Sequence, residues 1–115
     1  MGLGRTRSVG LRGVEGFLVE VEADVAPGLP AFTVSGRADA ACAQAPDRVR
    51  AAASNSGHPV PARRITVNLS PASVLKVGSG FDLAIVVATL VAAGEIPHGV
   101  VEQVVHIGEL GLDGS

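Results

Sequence analysis

Tryptophan and tyrosine are absent, and the only aromatic side chains are Phe17, Phe32 and Phe81. The interior is therefore expected to rest on alanine, valine and glycine. These let backbones approach closely but bury little area each, at about 25 cal/mol per Å². Cysteine occurs once, at Cys42, which excludes an internal disulfide and any zinc site built from several thiolates of one chain. Its setting, DAACAQA, reads as the buried face of a helix. A positive surplus is missing too: nine basic and eleven acidic side chains leave a net charge of −2. Nucleic-acid modules usually carry a basic stripe, so this chain is not expected to grip DNA strongly alone. The longest uncharged apolar run, 83–94, would span about 18 Å as a helix, against a hydrocarbon core of about 30 Å. No membrane partner is expected. The opening MGLGRTRSVG has no apolar signal-type stretch, so a cytoplasmic location is expected.

What is present suits one domain, covering 1–115, large enough to hide roughly two-thirds of its unfolded surface. The clearest strand is 17–25: Phe17, Val19, Val21, Ala23 and Val25 alternate with Leu18, Glu20, Glu22 and Asp24. Residues 5–11 can pair with it across a turn near 13–16, which sets Arg5, Arg7 and Arg12 beside the acidic face. APGLP forces a turn before a short strand at 32–35. Asp39 reads as a helix N-cap, with Cys42, Val49, Ala52 and Ala53 at helical spacing, and Pro46 predicts a kink or a helix start there. A second alternation at 63–70 buries Ile65, Val67 and Leu69. Asp82 reads as the cap of a helix over 83–93 that has almost no polar face, so it must be covered on more than one side. The pattern predicts a last strand at 104–107, then a turn at 111–114 whose second strand lies outside the sequence. The order β-β-β-α-β-α-β predicts an α+β fold, a mixed sheet with two helices packed on one face.

Few residues offer chemistry. KVGSGFD places Gly78, Ser79 and Gly80 before a helix, where free amides would suit an anion. Lys76 precedes the glycines, however, so GxxxxGK[ST] is not met, and GxGxxG wants a third glycine. His58, His98 and His106 are too scattered for a metal site, and His106 reads as packed on a strand. The remaining candidates are basic. Arg48 and Arg50 on the first helix and Arg63 and Arg64 at the fourth strand can meet a phosphate or a partner's carboxylate. Asp47 beside Arg48 predicts ordinary surface pairing.

The segments GLPAFTVSG, DRVRAAASNSG, PARRITVNLSPA, FDLAIVVATLVAAGEIP and HIGELGLDG together resemble the N-terminal region of the YifB/ComM family of magnesium-chelatase-like AAA+ proteins. The resemblance runs collinearly over nearly the whole chain. It implies a domain similar to the C-terminal domain of Lon protease, with that superfamily's left-handed crossover in place of the usual right-handed one. It also implies a parent protein with an AAA+ module that binds ATP and magnesium, assembles as a hexamer of identical subunits, and drives branch migration of recombining DNA during natural transformation.

Carried over residue by residue, the resemblance implies a silent site. In Lon-like proteases a Lys-Asp-Gly-Pro-Ser run sets the nucleophilic serine four residues after a lysine. Lys76 plus four is Gly80, and Ser79 stands one residue off. Gly78, Ser79, Gly80 and Asp82 thus form a degenerate nucleophile loop, with no catalytic residue, metal or cofactor expected in this chain. SGRAD replaces the family's Gly-Leu-Pro-Asp turn, and AQAPDR stands where Glu-Ser usually precedes the arginine. The expected role is a non-catalytic aid to ring assembly or DNA engagement, with Arg48, Arg50, Arg63, Arg64 and Lys76 as candidate DNA or subunit contacts. The alternatives are a peptidase using Ser79 and a protein-binding adaptor of a metal-chelatase-type complex.

Overall fold

A computed structural model describes residues 2–101 and 104–115. β1 (Gly2–Arg12) and β2 (Glu15–Ala26) form a long antiparallel hairpin in which Arg12 faces Glu15 across a two-residue turn. Gly13 enters that turn at φ +61°, a conformation that costs glycine little. β3 (Ala31–Ser35) and β4 (Arg64–Ser70) complete one sheet in the order β1-β2-β4-β3. β4 runs antiparallel to β2 and parallel to β3. The expected mixed sheet of an α+β fold is present, and the two hairpin strands each run a few residues longer than the alternation alone predicts.

The period-two pattern sorts the faces as read. Val19, Val21, Ala23, Val25, Ile65, Val67 and Leu69 are buried on one face together with Phe32. On the other, the register sets Arg5 opposite Glu22 and Arg7 opposite Glu20, and both pairs are salt-bridged. These exposed pairs contribute little stability. They do keep the outer face polar.

The first helical region breaks in two. Asp39 caps α1 (Ala40–Ala43), its carboxylate accepting the Cys42 N–H at 2.8 Å. The chain then re-enters at Gln44 into α2 (Ala45–Asn55), with Pro46 in its first turn. Proline has no N–H to continue the α1 ladder, but it costs nothing where that N–H would be unpaired anyway. α3 (Asp82–Ala92) lies across β1 and β2 and beside α2. The glycines of β1 make this approach possible: a Cβ on Gly4 would strike the Ala88 carbonyl oxygen and lie 2.5 Å from Ala92 N. The nearly all-apolar α3 is accordingly buried by the sheet beneath, α2 at its side and Leu110 of the final segment. A shallow hollow of about 200 Å³ remains between α2 and α3.

Two expectations need correction. Asp82 is not a cap: Phe81 holds that position without a side-chain cap bond, and Asp82 is fully buried in the first turn. Residues 104–107 do not form a strand. They make one parallel bridge, Arg7 to Val105, with the His106 N–H donating to Arg7 O at 2.9 Å. Val104, Val105 and Ile107 stay exposed, so their alternation finds no face to bury against. His106 is half-buried, its Nδ1 2.9 Å from Thr6 Oγ1. A short α4 (His98–Val101) also follows Pro97.

Candidate functional site

The loop before α3 is where a Lon-like nucleophile is sought, and its geometry follows from three strands of chain crossing there. Lys76 pairs with the segment before α1 through its backbone: its N–H donates to Arg37 O and its carbonyl accepts the Asp39 N–H, each at 2.9 Å. Asp39 in turn accepts from Gly78 N–H at 3.1 Å. The final segment crosses over the helix start, with Gly108 N–H donating to Gly80 O and Gly108 O accepting from Leu83 N–H, both at 3.0 Å. The amides of Gly78, Asp82 and Leu83 are therefore already donated within the chain. That leaves the helix entry poorly furnished for an anion.

Asp82 is the hub. Its two oxygens accept from Arg48 Nε at 2.7 Å and Arg48 Nη2 at 2.9 Å, a forked pair, and Oδ2 also takes the Leu110 N–H at 3.3 Å. Arg48 Nη2 donates further to Ala41 O at 2.8 Å. The Asp82 side chain is 1% exposed and that of Arg48 20%. Hydrogen bonding to Asp82 raises the Arg48 pKa above its ordinary value against the opposing effect of burial. Arg48 thus ties α2 to α3 and to α1, Asp82 holds the final segment through Leu110, and Asp47 is not the partner of Arg48. The fork is committed, so Arg48 is corrected from a candidate outward contact to an internal tie.

Lys76 is corrected likewise. It has no exposed surface, and Nζ donates to Gly36 O at 2.6 Å and to Pro71 O. Burial lowers its pKa. A buried ammonium satisfied by two carbonyls cannot reach a phosphate. It does not serve Ser79 either, whose hydroxyl donates to the Glu109 carboxylate. A Ser-Lys nucleophile needs the lysine within hydrogen-bond reach of the serine, and here Ser79 is bonded instead to Glu109 on the exposed final segment. Gly80 has open space around the point where a Cβ would stand, so no crowding explains its missing side chain. Cys42, packed under this cluster, has its thiol pushed up to about 11, first by burial and then by Asp39 and Asp82. That is an inert thiol.

The other basic candidates stand elsewhere. Arg50 and Arg63 are exposed and line one surface hollow of about 330 Å³ with Pro30, Ser54, Pro59 and Pro61. Arg64, the next residue, lies exposed on the outer face of β4. The sequence offered no way to see that Arg50 and Arg63, thirteen positions apart, share a hollow. The role of Glu109 was equally hidden, since its partner Ser79 is 30 residues away. No group of three or more His, Cys, Asp or Glu suited to a metal occurs among the described residues, and no described helix is long and apolar enough to cross a membrane.

A mixed four-stranded sheet backed by helices, with a tied-off loop at α3, defines an α+β domain whose relatives identify its class. The family described as subunit ChlI of Mg-chelatase matches residues 21–115. The chain is 46% identical over 114 residues, 99% of its length, to an uncharacterized protein of Mycobacterium tuberculosis (strain ATCC 25618 / H37Rv). It is 38% identical over 103 residues, 90% of its length, to YifB of Escherichia coli (strain K12). The competence protein ComM of Haemophilus influenzae (strain ATCC 51907 / DSM 11121 / KW20 / Rd) shares 39% over the same share. The chain belongs to the Mg-chelatase ChlI family, in the branch that holds YifB and ComM. It spans 20–23% of the length of these relatives.

Proposed function

We propose that this chain is the N-terminal, non-catalytic domain of a longer Mg-chelatase-like AAA+ ATPase that drives branch migration of recombining DNA during natural transformation. In that protein it aids assembly of a hexameric ring or engagement of DNA, in the cytoplasm. The observation that carries the reading is the 39% identity to a competence protein along 90% of the chain. The loop chemistry supports the non-catalytic part, because no Ser-Lys pair forms: Lys76 is spent on two backbone carbonyls and Ser79 turns to Glu109 on the exposed final segment. ATP and magnesium belong to the longer protein in this reading: the sequence has no GxxxxGK[ST], and the described residues hold no metal-suited cluster. The fold is expected to carry the left-handed Lon-like crossover.

The test compares the longer protein with a form from which this domain is deleted. Loss of hexamer formation by light scattering, or of branch migration on a synthetic four-way junction, with ATPase activity kept, is the expected result. Unchanged assembly and junction processing would sink the reading. The match to a chelatase subunit favours one second reading, a protein-binding adaptor, and pull-downs separate the two. Recombination proteins support the first and tetrapyrrole-metallating enzymes the second.

A further inference from the structure

The arginines of this chain divide by what they touch. Arg5, Arg7 and Arg48 pair with Glu22, Glu20 and Asp82, and Arg37 donates to Ser73 O. Arg12, Arg50, Arg63 and Arg64 make no ion pair and donate no side-chain hydrogen bond among the described residues, although acids outnumber bases eleven to nine. Arg12 stands alone at the hairpin turn, and the other three gather at one end of the sheet, where β4 begins beside β3. The hollow shared by Arg50 and Arg63 contains no acidic side chain.

Both arginines of the hollow are held in place. Arg50 stands over the ring of Phe32, 5.6 Å from its centroid, an arrangement that favours a cation. Arg63 sits on a stiffened stretch after Pro59 and Pro61. Its N–H donates to Pro61 O at 2.9 Å and its carbonyl accepts from Ala31 N–H at 3.2 Å. The Arg50 guanidinium is thus ordered by the ring and the Arg63 backbone by its neighbours, and a group already ordered loses less entropy when it binds. Arg64 then carries positive charge out of the hollow onto the outer sheet face.

We propose that this rim binds the phosphodiester backbone of duplex DNA and reads no bases. Guanidinium forks match phosphate oxygens. No aromatic side chain lines the hollow, so it offers no platform for an unstacked base. Three cations spread over two surfaces exceed what a single small anion engages, whereas an extended polyanion meets them in turn. The inference rests on the DNA reading above and names its contact surface. It also agrees with the acidic net charge: three phosphate contacts give weak, salt-sensitive attachment, useful when repeated around a ring.

The experiment measures fluorescence anisotropy of a labelled random-sequence duplex with the 115-residue chain between ~20 and ~150 mM salt. Binding is expected at the low end and near background at the high end, with log K against log salt falling with a slope of about −2 to −3. Arg50→Gln with Arg63→Ala and Arg64→Ala should weaken binding at least ~10-fold at low salt and flatten that slope. Arg5→Gln with Arg7→Gln, which removes paired charge, should leave it unchanged. If melting shows that the triple variant is unfolded, Arg63→Ala with Arg64→Ala, both at exposed positions, gives the reading. Equal binding by the variants and wild type, or none at low salt, overturns the proposal. So does preferential displacement by pyrophosphate, which would mark a small-anion site, or by polyglutamate, which would mark a protein contact. Duplex binding through these arginines, with no branch migration by the longer protein, would sink the functional reading and leave this one standing.

Discussion

The start of α3 and the rim at the start of β4 use the same chemical group in opposite ways. At α3, Arg48 is sunk against a fully buried carboxylate and shares the ties with a neighbouring carbonyl. At the rim, Arg50, Arg63 and Arg64 are exposed and meet no carboxylate among the described residues. The difference lies in what stands opposite. Three segments converge on Asp82, so a guanidinium there is desolvated and holds the fold. At the rim only prolines, small side chains and Ser54 border the hollow, and the charge stays free for solvent or a ligand. A charged residue inside a domain therefore speaks of cohesion, and one left unmatched at an edge speaks of contact.

The sharpest way to break that contrast is Asp82→Ala. It strands the Arg48 guanidinium and the Leu110 N–H together, so urea unfolding should show a loss of about 3 kcal/mol. Pairing it with Arg48→Met should recover part of the loss, because the isolated charge is then gone. A loss below about 0.5 kcal/mol would make this pair no different from a surface one.

Next comes Lys76→Met, which keeps the stem and removes the ammonium. The carbonyls of Gly36 and Pro71 lose their donor, and a cost of about 1–2 kcal/mol is expected by the same titration. A neutral result would mean that water serves those carbonyls and that Lys76 is not needed inside.

Cys42 sharpens the contrast through pH. Its folded pKa of about 11 lies above the ordinary 9.0, so the neutral thiol is favoured in the fold and the unfolded chain ionises first. The resulting stability is whole below pH 9 and is lost as pH rises toward 11, by up to about 2–3 kcal/mol at 1.36 per unit. The difference in unfolding free energy between wild type and Cys42→Ala should shrink over that window. A constant difference would show the thiol to be solvated. Lys76, whose pKa is lowered by burial, contributes with the opposite sign in both proteins.

The smallest effect is expected at Gly80. A side chain there meets open space, so Gly80→Ser should change stability by less than about 0.5 kcal/mol. Fluorogenic peptides should remain uncut, because the new hydroxyl would find Lys76 bound to carbonyls. Turnover abolished by Lys76→Met would show that a latent dyad survives.

Much of the fold was legible because its signals are local. Alternation at 17–25 and 63–70 placed both central strands, and it set Arg5, Arg7 and Arg12 beside the acidic face, where Arg5 and Arg7 form ion pairs with Glu22 and Glu20. Pro46 marked a break that appears at Gln44. Asp82 shows where local reading fails. An acid before an apolar helix reads as a cap, yet its true partner is 34 residues upstream. The 104–107 stretch shows the reverse, a good local alternation with no face to cover it. Lys76, set in a glycine-rich loop, looked available to a ligand until the segments around Gly36 and Pro71 closed over it.

The amino-acid order by itself settled the strand faces, the close-packed small-residue core and the absence of a hydroxyl at position 80, because each depends on neighbours one to four residues away. Which charges are locked inside and which remain open was decided only when distant segments met. A guanidinium's fate depends on whether a carboxylate and a dry surround arrive beside it, and no spacing along the chain encodes that.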